Sequence, residues 1–187
     1  MNKIITLVII FVTTVIYSQE KAFTIVNKQV SWQKIYESTK SALEIKKILM
    51  TNGKIKFNNN ESDNNNLSGD ISDFIMDFKG AGYTRMGTPN YLSNSSKFSG
   101  NFKMEFKEGK YRVSISNIKF KGDSWSLYSG GIGVSSNGDD NLESFALTKD
   151  REYFKGQFQG RSSSIIDHSF SDLFDVSKYD IKNDENW

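Results

Sequence analysis

The chain holds one histidine, His168, and no cysteine. The missing thiol excludes disulfides, a thiolate nucleophile, zinc–thiolate sites and lipid attachment at an N-terminal cysteine. Ser164 lies four residues before His168 and Asp172 four residues after it, so on a helix all three share a face. A catalytic triad needs more than a shared face. The serine and the acid must converge on opposite nitrogens of one ring, beside an oxyanion hole. Successive turns of a single helix do not offer that geometry, and the set reads as a helix-surface histidine with local hydrogen bonds.

With so few nitrogen and sulfur ligands, a metal would have to be held by oxygen, which points to Ca²⁺. Asn137, Asp139, Asp140, Asn141 and Glu143 form one such cluster, and Glu61, Asp63 and Asp70 another. Neither has the spacing of a twelve-residue calcium loop, and Asn, Asp and Gly are also what turns require. Gly130-Gly131-Ile132-Gly133 lacks the Gly-Lys-Ser/Thr ending and the strand-to-helix setting of a phosphate loop. Asp70, Asp73 and Asp77 recur along one strand face, where paired acids would suit glycoside hydrolysis. An outward row of acids is, more simply, the solvated side of a sheet. No catalytic residue, metal site or cofactor is assigned.

Recognition chemistry is concentrated in the connection Lys79 to Ser96. It carries Gly80, Gly82, Gly87, the chain's one proline (Pro89), and Tyr83, Arg85, Met86, Tyr91 and Leu92. Connections this long are uncommon unless they are functional or packed as ordered loops. Tyr and Arg offer large contact area and directed donors, so Tyr83, Arg85 and Tyr91 are the expected binding residues. In the competing reading Tyr83, Met86, Tyr91 and Leu92 fold back and cap the core.

Export is expected from the N-terminus. Met1-Asn2-Lys3 is a short basic region, Ile4 to Ile16 is an apolar run broken by three threonines, and Ser18 precedes Gln19-Glu20-Lys21. This is the layout of a signal peptide cleaved between Ser18 and Gln19. The run is too short to span a bilayer, which takes roughly 20 apolar residues, and no second run follows in the mature chain. The reading is therefore a signal peptide over 1–18 and a single domain over 19–187, exported to the periplasm or secreted. Loss of Lys3 leaves 23 basic against 22 acidic residues, so a nucleic-acid surface driven by charge is not expected. The 14 Phe, 8 Tyr and 3 Trp exclude a chain disordered throughout.

The positioning elements follow from periodicity. Phe23 to Val26 reads as a strand. Ser31 reads as the N-cap of a helix over about 32–49, carried by Trp32, Ile35, Tyr36, Ala42 and Leu43 and stopped by Asn52-Gly53. Strands are expected at Lys54 to Phe57 and, beyond an Asn-rich loop over Asn58 to Asn66, at Leu67 to Phe78. The clearest signal is a hairpin over 97–120. A two-residue turn at Glu108-Gly109 sets Phe106 opposite Tyr111, Met104 opposite Val113, Phe102 opposite Ile115 and Glu105 opposite Arg112. Beyond Asn117 the apolar phase moves to Ile118 and Phe120, which predicts a bulge. Residues 121–141 read as a glycine-rich irregular excursion, Glu143 to Leu147 as a short strand, and about 162–174 as a helix burying Ile165, Ile166, Phe170, Leu173 and Phe174. The fold class is α+β: a two-layer sandwich with an antiparallel sheet of about five strands and two helices packed on one face.

Several of these residues resemble a known family. The leader ending in Ser-Gln, Val30-Ser31-Trp32 with Ile35-Tyr36, the hairpin from Phe106 through Val113 (Phe-Lys-Glu-Gly-Lys-Tyr-Arg-Val) and Asn117-Ile118 resemble exported Bacteroidetes proteins of a domain-of-unknown-function family with a TBP-like fold. The resemblance covers about 23–120 and extends to the helix with Phe174. It implies the fold and the compartment and brings no catalytic residues; the fold name does not carry DNA binding with it.

The leading functional expectation is a non-catalytic envelope or periplasmic binding module acting through the 79–96 loop and the adjoining sheet face. Its partner would be an envelope protein or small ligand, not nucleic acid. The alternatives are a carboxylate-based hydrolase and a structural envelope component that pairs through a sheet edge.

Overall fold

In a computed structural model, the described residues are 22–58, 65–92, 96–122 and 140–179, together with the backbone of 125–129, 132–136 and 139. The proposed signal peptide, the middle of the Asn-rich loop with Glu61 and Asp63, and Gly130-Gly131 lie outside them.

One row of buried positions runs across the sheet and explains its order. Phe57 pairs with Gly69, Gly69 with Phe102, Phe102 with Ile115, Ile115 with Trp32, and Trp32 with Phe23. The strands are β1 (Phe23–Val26), β2 (Gln29–Glu37), β3 (Ile55–Phe57), β4 (Asn66–Phe74), β5 (Lys97–Lys107) and β6 (Lys110–Lys121), in the antiparallel order β1-β2-β6-β5-β4-β3. A separate hairpin joins β7 (Trp125–Ser129) to β8 (Ile132–Ser136), and β9 (Asp139–Asn141) pairs with β6, so the main sheet has seven strands rather than about five. The stretch expected to be an irregular excursion is thus largely strand.

The inner face is covered by α1 (Ala42–Met50) and α3 (Ser163–Phe174), with the short α2 (Leu142–Ala146) beside β2 and β6. Phe170 meets Trp32 edge-on at 5.5 Å, Phe174 lies 5.3 Å from Phe102, and Ile45 and Leu49 of α1 are fully buried. The opposite face is polar. Asn101 donates to Asp70 at 2.7 Å, Asn117 donates to Asn101 at 2.9 Å, and Arg112 donates to Glu105. That contact holds the Glu105 carboxyl below its ordinary range.

The β5–β6 hairpin has the register expected from its alternation, including Glu105 opposite Arg112. The bulge is also present: pairing shifts between Ser99–Lys119 and Asn101–Ser116, and Asn117 takes a left-handed φ of 52°. Three other expectations are corrected. Residues 29–37 are strand, not helix, and the helix begins at Ser41, whose hydroxyl accepts from the Glu44 N–H while the Glu44 carboxylate accepts from the Ser41 N–H. Leu67 to Phe78 is not one strand: Asp73 has a φ of 49°, the pairing shifts between Ile71 and Phe74, and the chain leaves the sheet. Glu143 to Leu147 is mostly helix α2. Glu143 is buried there and accepts the Val30 N–H at 2.9 Å, so a carboxylate stands in for a neighbouring strand.

Gly69 shows how tightly the row is packed. A Cβ at this position would collide with the Lys56 carbonyl oxygen and stand 2.8 Å from the Phe102 ring. Backbone cannot yield as a flexible side chain can. Gly69→Ala is expected to cost about 1–3 kcal/mol and to loosen β3; an unchanged denaturant midpoint would show that β3 is not packed as described.

The C-terminal turn of α3 is closed by two tyrosines from the sheet. Tyr36 donates to the Ser171 carbonyl at 3.1 Å and Tyr111 to the Phe174 carbonyl at 2.6 Å, with their rings stacked 5.0 Å apart. Burial raises the pKa of both phenols above the ordinary 10.0. A group whose folded-state pKa is raised contributes stability that is complete below its unfolded value and is lost as pH climbs beyond it. The domain is therefore expected to hold its midpoint up to about pH 10 and to lose stability above it. A midpoint that stays unchanged well above about pH 10 would contradict these burials.

Candidate functional site

The chain between β4 and β5 leaves the sheet as an ordered loop rooted at both ends. Met76 and Phe78 are buried at its start and Leu92 at its end. Between them lie two turns. In the first, Gly80 N–H donates to Asp77 Oδ1 at 2.8 Å, Gly82 N–H to the Lys79 carbonyl at 2.9 Å, and Tyr83 N–H to the Phe78 carbonyl at 2.8 Å. Gly82 has a φ of 83°, where a side chain would strain the backbone. In the second, Gly87 N–H and the Thr88 hydroxyl both donate to the Thr84 carbonyl. A one-turn 3₁₀ helix over Asn90–Leu92 closes the loop.

This backbone gives its three expected binding residues different settings. Arg85 stands exposed on the second turn, and Met86 beside it is 100% exposed. Tyr83 is half-buried against the core, with the Arg161 guanidinium 5.8 Å over its ring. Tyr91 packs inward, 4.8 Å from Phe145 and 5.4 Å from Phe120, and its hydroxyl bonds to the Ser162 side chain. Burial raises the Tyr91 pKa. Arg85 and Met86 therefore stand clear of the core, Tyr83 is open on one side, and Tyr91 is the loop's anchor. Nothing in the spacing of the tyrosines separates these roles. Arg161 joins them from the π-helical turn Phe158–Ser162 ahead of α3, some 70 residues on.

The other chemistry-bearing residues are dispersed or engaged elsewhere. Asp172 pairs with Lys178, not with His168. His168 instead faces the loop root, where a Cβ on Gly80 would lie 2.6 Å from its Nε2 and collide with the Asp77 carboxylate. Asp70 accepts from Asn101, Asp73 pairs with Lys97 at 3.6 Å, and the kink at Asp73 carries Asp77 off the strand, so the three acids do not share one face. Glu143 is turned inward onto the Val30 N–H, and of its cluster Asn137 and the Asp139 side chain lie outside the described residues. Among the described residues no three His, Cys, Asp or Glu side chains converge on a metal position, and no helix is long and apolar enough to cross a membrane.

An open groove of about 680 Å³ lies at the other end of the long hairpin, between Ser38–Leu43 and Phe106–Gly109. Along β5 this is about 34 Å from the loop, ten residues at strand rise. The Ser41 N–H and hydroxyl in its wall are both taken by Glu44, and its lining has a single acid, Glu108. No pair of carboxylates faces across it.

No family model matches the chain, and no curated protein matches it. Among solved structures it is similar to a DUF4468 family protein from Bacteroides ovatus, with 14% identity, 87% of this chain and 89% of that chain covered, and a TM-score of 0.43. It is also similar to a TBP-like protein from Parabacteroides distasonis, with 12% identity, 85% and 98% covered, and a TM-score of 0.46. Both neighbours are the kind of protein the sequence resembles: uncharacterised Bacteroidetes domains, one of them TBP-like.

Proposed function

We propose that the chain is an exported, non-catalytic binding module of the cell envelope or periplasm that contacts its partner through the loop carrying Tyr83, Arg85 and Tyr91. The observation that supports this reading is Met86, wholly exposed beside Arg85 at the apex of a loop hydrogen-bonded within itself. A large apolar side chain held wholly in water adds no burial to the folded core. On association it contributes burial while the loop loses little entropy. Tyr91 anchors, Tyr83 and Arg161 form the flank, and Arg85 and Met86 make contact.

The test is the double variant Arg85→Ala/Met86→Ser. Exposed side chains away from caps and networks usually change stability by no more than about 0.5 kcal/mol. The thermal midpoint is therefore expected to hold while capture of the partner from envelope extracts is lost. Capture at the wild-type level by this variant would refute the loop as the binding site.

A further inference from the structure

We infer that the surface around the Arg85–Met86 turn takes an acidic protein segment with an apolar side chain at its centre, an inference that rests on the binding role proposed for this loop. Lys79, Arg85 and Arg161 are all exposed, and none forms an ion pair with a described residue. Ion pairs on the described surface lie elsewhere: Glu105 with Arg112, Asp73 with Lys97, Asp172 with Lys178. The acid at the loop root, Asp77, has one oxygen taken by the Gly80 N–H. Lys79 and Arg85 on the loop and Arg161 beside it thus offer three cations to an acidic partner.

Arg161 is held ready for a ligand. Its guanidinium lies over the Tyr83 ring, and its Nη1 is 3.9 Å from where a Cβ on Gly87 would stand, so it borders the turn that carries Met86. The contact with the ring restrains the guanidinium and leaves its N–H donors able to meet a carboxylate. Met86 then discriminates among anions. A sulfated sugar or a lipid headgroup would meet the cations and leave Met86 in water. An acidic protein surface with an apolar recess satisfies both, and an unbranched, polarisable methionine adapts to such a recess.

The probe is an immobilised peptide of alternating Glu and Leu, with a Gln/Leu peptide, heparin and phosphatidylglycerol vesicles as the competing arms. The full chain is expected to prefer the Glu/Leu peptide and to bind it less as salt rises. Arg85→Gln/Arg161→Gln should weaken this binding about tenfold or more, the Glu pair should abolish it, and the Lys pair should retain most of it. Equal binding to the Gln/Leu peptide, no salt dependence, preference for heparin or vesicles, or no binding to any arm would overturn the inference. The two readings fail separately. If Arg85→Ala/Met86→Ser loses partner capture while the Gln and Glu pairs lose it equally, the loop stands and the acidic partner falls. If that double variant still captures, the loop itself falls.

Discussion

Phe102→Asp is expected to leave the domain unfolded, whereas Ser99→Asp three residues earlier on the same strand is expected to be silent. Phe102 is buried in the central row, 5.2 Å from Phe57 and 5.3 Å from Phe174, with its ring over Gly69. Losing a buried phenylalanine costs about 3–5 kcal/mol, and a carboxylate left there without a partner adds the penalty of an uncompensated charge. Together these approach or exceed the total stability of a domain, about 5–15 kcal/mol. Ser99 is exposed and pairs with Lys119 across the sheet, so a new aspartate would face a cation. Val113→Asp should also unfold the chain, but it is the less clean probe, because Lys34 lies directly opposite and has a charge to offer. Circular dichroism and thermal melts read the contrast. Equal tolerance at Phe102 and Ser99 would mean the register is wrong.

That hairpin was legible because every inward position from Phe98 to Val113 is apolar or glycine and nearly every outward one is polar, so only one phase buries the apolar set. The strand β2 fails the same test at one residue. Its inward positions are Val30, Trp32, Lys34 and Tyr36, and the lysine breaks the alternation. Lys34 is tolerated because its stem lies along the core and its ammonium reaches the Ser171 hydroxyl at 2.7 Å. Ile35 completes a false helical stripe with Trp32 and Tyr36 while facing solvent, 42% exposed. The true helix start did carry a local sign, Ser41 followed three residues later by Glu44, outweighed by the apolar spacing before it. Glu143 and Arg161 were beyond reach for another reason. Glu143 is defined by a backbone N–H 113 residues away, and Arg161 by the ring of Tyr83. Pairings of that sequence separation leave no mark on local pattern.

Tyr91→Ala is expected to lower the thermal midpoint strongly, and Arg85→Ala hardly at all. The Tyr91 ring fills space against Phe145 and Phe120, beside β6 and α2, and its hydroxyl is held by Ser162. Removing it leaves a cavity that the ordered loop cannot close, at about 3 kcal/mol or more by analogy with buried aromatic truncations. For a chain of this size that is a fall of roughly 6–12 °C. Tyr91→Phe separates the ring from the hydroxyl: it keeps the packing and loses one hydrogen bond, about 1 kcal/mol. Tyr83→Ala should fall between, since its ring is half-buried and carries Arg161. Because a melted loop cannot present Met86, loss of partner capture in Tyr91→Ala would say nothing about contact, and the Arg85 and Met86 variants must carry that question. A Tyr91→Ala protein that melts like the wild type would place the ring outside the core. Tyr91 would then be free to touch the partner itself, and the division between anchor and contact residues drawn across this loop would fail.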